Sequence, residues 1–257
     1  MDLTVSCLSH VYPGRKTRPA LEAVDFTVPS GQFVALVGPS GCGKSTLLRL
    51  IASLIQPTAG RIEIDGGLTP SQAAAAQHIA WMSQSPALLP WLTARDNIAI
   101  LRRVLPEGTR LRLSPDEALS MVGLEVAAEA YPFTLSGGMQ QRLALARLLT
   151  LDSSLWLMDE PFAALDELTR ERLSQDLLEL WQPLRPTVLW VTHNIYEALR
   201  LANRVLVFTP QPGRIAADID VPLPYPREEA DPAFQQVLLQ VRQALSLNRN
   251  QYEAAHA

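Results

Sequence analysis

The chain is poor in cysteine and aromatic residues and has no long apolar run. Its two cysteines are Cys7 and Cys42 among 257 residues. Cys42 lies inside a glycine-bearing stretch that has to receive a ligand, so reduced thiols and a cytosolic compartment are expected rather than a disulfide-stapled scaffold. No window approaches the roughly 18 uninterrupted apolar residues of a spanning helix; any service to a membrane runs through a partner. Met1-Asp2-Leu3-Thr4 does not lead into the basic-then-apolar pattern of a secretory signal. Positive charge is scarce too. The net charge is -4, with no block of like charges, which leaves no basic footprint for nucleic acid. What is present, 19% charged and 47% hydrophobic residues, is the composition of an ordinary globular protein, and the length suits one large α/β domain or two small ones.

Hydrophobic periodicity orders the chain. Two β-like runs, Leu3 to Val11 and Leu21 to Val28, flank the polar turn Pro13-Gly14-Arg15-Lys16 and read as an antiparallel hairpin. Gln32 to Val37 is a continuous apolar strand, as in a sheet buried on both faces, and it runs through glycines into a helix carrying Leu47, Leu48, Ile51 and Leu54. A second strand pair, near Arg61 to Ile64 and His78 to Ser83, brackets an alanine-rich connection. From Thr93 to about Tyr131 the pattern turns helical and polar, with Ser114-Pro115-Asp116-Glu117 as a helix start. Strands then return at Ser154 to Met158, Thr187 to Val191 and Arg204 to Phe208 with helices between, which implies a parallel sheet covered on both faces. Phe234, Leu238, Val241 and Leu245 share one face of a closing helix.

Two motifs carry chemistry. Gly38-Pro39-Ser40-Gly41-Cys42-Gly43-Lys44-Ser45, with Thr46 behind it, fits G-x-x-x-x-G-K-[ST] between a strand and a helix. Backbone N–H groups and a helix N-terminus would cradle phosphate, Lys44 would neutralise the β- and γ-phosphates, and Ser45 would ligate Mg²⁺. Leu155-Trp156-Leu157-Met158-Asp159-Glu160 is a buried strand ending in two acids at the carboxyl edge of the sheet. Asp159 would hold the metal shell, and Glu160, pointing the other way, would polarise the attacking water.

Leu135-Ser136-Gly137-Gly138-Met139-Gln140-Gln141-Arg142 opens a further helix and is a second anion site. One nucleotide does not need two cradles, so the loop is expected to close on ATP held by a twin subunit. Here the sequence resembles the ABC transporter ATPase family, whose signature reads LSGGQ where this chain has LSGGM; the departure falls on Met139 alone. The resemblance runs over nearly the whole chain. It implies an α/β fold with a P-loop NTPase core, a mostly parallel sheet, an antiparallel β subdomain and an inserted helical signature subdomain. One domain over 1–257 is expected, with the core at 1–92 and 151–257 and the helical lobe at about 93–150. It also implies ATP and Mg²⁺ as cofactors, and Ser136, Gly137 and Gly138 on the partner's γ-phosphate.

Smaller elements follow the family's order. Tyr12 is similar to the aromatic that stacks on adenine, with a plain strand-end tyrosine as the competing reading. Gln84 is similar to the glutamine that senses Mg²⁺ and links core to lobe, Asp166 to a residue that communicates across the dimer or simply caps a helix, and His193 to the switch histidine on the γ-phosphate. Leu89-Pro90-Trp91-Leu92-Thr93-Ala94-Arg95-Asp96-Asn97 and Pro212-Gly213-Arg214-Ile215 look like the nitrate, sulfonate and taurine importer branch. That branch implies a peripheral subunit on the cytoplasmic face of the cell membrane. It would pair with a second ATPase chain, identical or paralogous, and with a permease dimer, and through the permease with an extracytoplasmic solute-binding protein. Pro86 to Leu92 would either pack the lobe's own core or dock the permease. The rival, a soluble member acting on ribosomes or DNA, is expected to carry tandem units, a coiled coil or basic insertions, and this chain has none of these.

Overall fold

In the computed structural model, which describes residues 1–14 and 19–256, the first two apolar runs become strands β1 (Leu3–His10) and β2 (Leu21–Val28). Alternate side chains are buried, as a period of two requires, and the strands pair antiparallel, with Leu3 opposite Val28 and Val5 opposite Phe26. Residues 15–18, which include the Arg15-Lys16 half of the expected turn, lie outside the described residues. Strand β3 (Phe33–Val37) is buried along its whole length and delivers the chain to helix α1 (Lys44–Ile51). Leu54, expected on that helix, lies past its end and is exposed, because Ala52 already closes the helix and the backbone turns away at Ser53 with φ +60°.

The expected second strand pair does not form. Strand β4 (Ala59–Ile64) joins β1 on the side away from β2, whereas β5 (Ile79–Met82) enters a different sheet. The alanine-rich connection between them is itself helix α2 (Pro70–Ala75). Thr69 caps it, and Thr69 and Gln72 satisfy each other's backbone N–H groups. A helical crossover carries the chain from one sheet to the other, which a tight hairpin turn cannot do.

Four helices follow: α3 (Ala94–Ala99), α4 (Leu101–Val104), α5 (Pro115–Met121) and α6 (Gly137–Thr150). The start read at Ser114 is correct. Its hydroxyl accepts from the Glu117 N–H, and the Glu117 carboxylate accepts in return from the Ser114 N–H. The remaining elements are β6 (Leu155–Asp159), α7 (Glu167–Leu184), β7 (Thr187–Val191), α8 (Ile195–Leu201), β8 (Arg204–Phe208), β9 (Ile215–Asp220) and α9 (Pro232–His256). Phe234, Leu238 and Val241 bury the closing helix against the rest. Strand β9 has no counterpart in the sequence reading, although its IAADID run alternates part-buried Ile215, Ala217 and Ile219 with exposed Ala216, Asp218 and Asp220.

The large sheet runs β5-β6-β7-β3-β8-β9, parallel throughout except for the antiparallel β8–β9 edge. Its strands feed two separate cores. Phe33, Ala35, Trp156, Met158, Val188 and Trp190 face one cluster, together with α5, α6, α8 and α9. Val34, Leu36, Leu155, Leu157, Leu189 and Val191 face the other, with α1 and the antiparallel sheet. Both faces being covered explains the unbroken apolar strands. It also brings the carboxyl ends of β3, β6 and β7 together beside the start of α1.

Candidate active site

At the start of α1 the last loop residue, Gly43, has φ +99°. A Cβ there would lie 2.6 Å from both the Ala20 carbonyl oxygen and the Leu21 side chain, so only glycine fits. No side chain caps this helix, and its first N–H groups are left to a ligand. Lys44 is buried, and its ammonium donates to the carbonyls of Gly38 at 2.8 Å and Pro39 at 2.9 Å, with Cys42 Sγ at 3.4 Å. Pro39, Ser40 and Gly41 form the exposed rim of the loop and Cys42 its buried floor. Tyr12, just past β1, places its hydroxyl 3.2 Å from Thr46 Oγ1. Its ring meets His10 edge to face at 4.6 Å.

The acidic pair diverges as a strand end should. Asp159 is 2% exposed and its Oδ1 accepts from the Ser45 hydroxyl at 3.0 Å. Burial pushes its pKa above the usual carboxylate range, against the Ser45 hydrogen bond and the cationic Arg49 and Lys44. A desolvated carboxylate beside a hydroxyl is short of positive charge, and its oxygen donors are those a hard divalent cation takes. Glu160 turns into the left-handed region, φ +49°, its N–H bonded to the Val191 carbonyl at 2.9 Å. Its Oε2 accepts from Gln84 Nε2 at 3.2 Å and lies 3.5 Å from Nδ1 of the exposed His193. Non-glycine residues avoid this backbone region, and strain of this kind gathers at working sites. With Nε2 committed to Glu160, the Gln84 amide oxygen has no hydrogen-bond partner among the described residues.

A second group of expected residues sits apart from this one. Ser136 caps α6 by accepting from the Met139 N–H at 3.3 Å. Gly137 has open space around it, and a Cβ on Gly138 would approach the Ala164 carbonyl at 3.1 Å. Among the described residues, none of the three hydrogen-bonds to residues 38–46. Asp166 caps α7 by accepting from the Thr169 N–H at 3.0 Å.

Two residues here enter the sequence reading only as members of longer motifs, with no role of their own. Buried Asn97 accepts from the Leu89 N–H at 2.8 Å and donates to the carbonyls of Leu89, Leu92 and Thr93, each at 3.0 Å. It fixes a loop on which Trp91 stands 69% exposed. Buried Gln141 donates to the Gln84 carbonyl at 3.1 Å and the Glu160 carbonyl at 3.3 Å. A polar residue in register with Leu145 and Leu148 on an apolar helix face was the available signal.

A glycine-walled phosphate loop beside a buried acid, on a parallel sheet covered on both faces, defines a P-loop nucleotide hydrolase, and the profile of the family described as "ABC transporter" matches residues 21–163. The chain belongs to that family and is one of its ATPases. It is 40% identical over 244 residues to the nitrate import ATP-binding protein NrtD of Synechococcus elongatus, covering 91% of this chain and 88% of that one. To the aliphatic sulfonates import ATP-binding protein SsuB of Bacillus cereus it is 39% identical over 228 residues, 89% of either chain. Among solved structures, the dimeric post-hydrolysis state of an ATP-binding cassette bound to ADP and Pi is similar with a TM-score of 0.75 and 31% identity, over 85% of this chain and 98% of that one.

Proposed function

We propose that the chain is the ATP-hydrolysing subunit of an importer for a small anion of the nitrate or sulfonate kind, working as a dimer with Mg²⁺ at each nucleotide. The observation that carries the reading is the convergence of Gln84 and His193 on one oxygen of Glu160, beside the Ser45–Asp159 pair. Glu160 orients and deprotonates the attacking water. Lys44 leaves the loop carbonyls for the β- and γ-phosphates, His193 meets the γ-phosphate, and Tyr12 stacks on the adenine. Ser45, Asp159 and the amide oxygen of Gln84 would hold Mg²⁺, which would offset negative charge on the phosphates.

Ser136, Gly137 and Gly138 grip the nucleotide of the partner protomer. The Ser136 hydroxyl accepts from its own helix yet retains its proton for a phosphate oxygen. Asp166 both caps α7 and faces the dimer contact. Names of the relatives support import of an anion, through permease subunits fed by an extracytoplasmic binding protein. Among the described residues no helix is long and apolar enough to cross a membrane; a peripheral seat at the cytoplasmic face is part of the proposed importer role. Trp91, on its stapled loop, supplies the contact to the permease.

Glu160→Gln tests the reading. Hydrolysis should fall by about 10³-fold, while Mg-ATP should convert a monomer into a stable dimer on a sizing column. Hydrolysis at the wild-type rate in this variant overturns it.

A further inference from the structure

The helix that presents Ser136 to Gly138 is also tied to the hydrolytic residues of its own chain. Two adjacent glutamines make the ties. Gln140 Nε2 donates forward to the carbonyls of Pro132 at 2.9 Å and Leu135 at 3.2 Å, fixing the loop ahead of Ser136. Gln141 Nε2 donates inward to the carbonyls of Gln84 at 3.1 Å and Glu160 at 3.3 Å. Both of its partners are carbonyl oxygens, so the NH₂ group must face them, and Gln141 Oε1 is left buried with no hydrogen-bond partner among the described residues. An unpaired buried acceptor lowers stability. An apolar side chain in register with Leu145 and Leu148 would avoid it, so retaining the amide here suits a role other than packing.

The geometry points to Gln141 as a positioning residue. It holds the backbone at Gln84 and Glu160 in the register that aims their side chains at the reacting centre, and it makes that register depend on α6. Because the N-terminus of α6 grips the nucleotide of the partner protomer, capture of ATP in one site then sets the carboxylate of the other. The inference rests on the proposed dimeric ATPase reading. The mechanical links are on one chain. Gly138 sits against the Ala164 carbonyl, the Glu160 carbonyl also accepts from the Ala163 N–H at 3.2 Å, and the strained φ of +49° at Glu160 needs continuous support from its neighbours.

The test is Gln141→Met in the full chain, which keeps the side-chain volume and removes both donors. ATP affinity of the single protomer should stay within about twofold, while kcat falls by about 10- to 100-fold and the Hill coefficient for ATP drops from about 2 toward 1. Gln141→Asn keeps the amide but withdraws it by one methylene; it should show the same pattern and carries the test if the Met variant does not fold. Wild-type kcat and Hill coefficient in a folded variant overturn the inference, even with a lowered melting temperature. So does an equal loss in ATP affinity and kcat. If Glu160→Gln still hydrolyses ATP the whole reading of the site fails; if Glu160→Gln is dead and Gln141→Met is normal, only this inference does.

Discussion

The two helix starts proposed to meet phosphate are built in opposite ways. The N-terminus of α1 is uncapped and walled by its own chain, and its lysine is held by loop carbonyls. The N-terminus of α6 is capped by Ser136 and open on its outer side, where a Cβ on Gly137 would meet nothing within 4 Å among the described residues. The first is a finished cradle, complete within one chain. The second, on the proposed reading, is half a site that another molecule completes. Substitutions at the two starts should therefore fail in different ways, the first by damaging the fold and the second by damaging assembly.

Gly43→Ala carries the largest expected effect. The added methyl meets the Ala20 backbone, in a conformation that L residues avoid, and should cost roughly 2–4 kcal/mol of stability, together with ATP binding. Chemical denaturation measures the first and nucleotide titration the second; a variant as stable as wild type would erase the contrast. Gly137→Ala should leave the denaturation midpoint unchanged or slightly raised, since its methyl meets nothing in the chain and alanine favours helix by about 1 kcal/mol. Hydrolysis should nevertheless fall about tenfold or more as the partner's phosphate loses close approach to the backbone. Normal turnover in that variant would mean that α6 receives no nucleotide.

The start of α8 sharpens the comparison as a helix end satisfied entirely from within. Asn194 caps it by accepting from the N–H groups of Tyr196 and Glu197. The buried Glu197 carboxylate accepts from Trp190 Nε1 at 2.5 Å, with Arg170 3.9 Å away. Burial is the main influence on Glu197 and holds its pKa above the usual carboxylate range. A raised folded-state pKa contributes stability that is full below the unfolded value of about 4.3 and is lost as pH rises through the raised one. Glu197→Gln keeps an acceptor for Trp190 and removes the titration. Melting curves of the two chains should therefore converge in acid and separate toward neutral pH, with the variant higher; parallel curves would refute the assignment. This is the smallest of the expected effects.

How much could be read in advance follows the range over which each feature is decided. The glycine turn between β3 and α1 and the cap at Ser114 are decided within a few residues, and the sequence pattern located both. The parallel strands were legible because burial on both faces leaves an unbroken apolar run. The mispairing of β4 with β5 came from a decision that is not local, since which strand a segment joins depends on β1 and β6 far along the chain. β9 was missed although its period-two alternation was there to be read; the run is short, and as an edge strand it buries its apolar face only in part. Gln141 is the extreme case, with partners 57 and 19 residues away that are main-chain carbonyls and leave no trace in side-chain identity.

The loop held by Asn97 has its own consequence. Four hydrogen bonds to one buried amide fix the shape of Leu89 to Thr93 before anything touches it, so Trp91 is presented in advance on a stiff platform. A helix arriving against that indole would find the entropy of ordering already spent during folding, and a push on the ring would be transmitted to α3 rather than absorbed by a yielding loop.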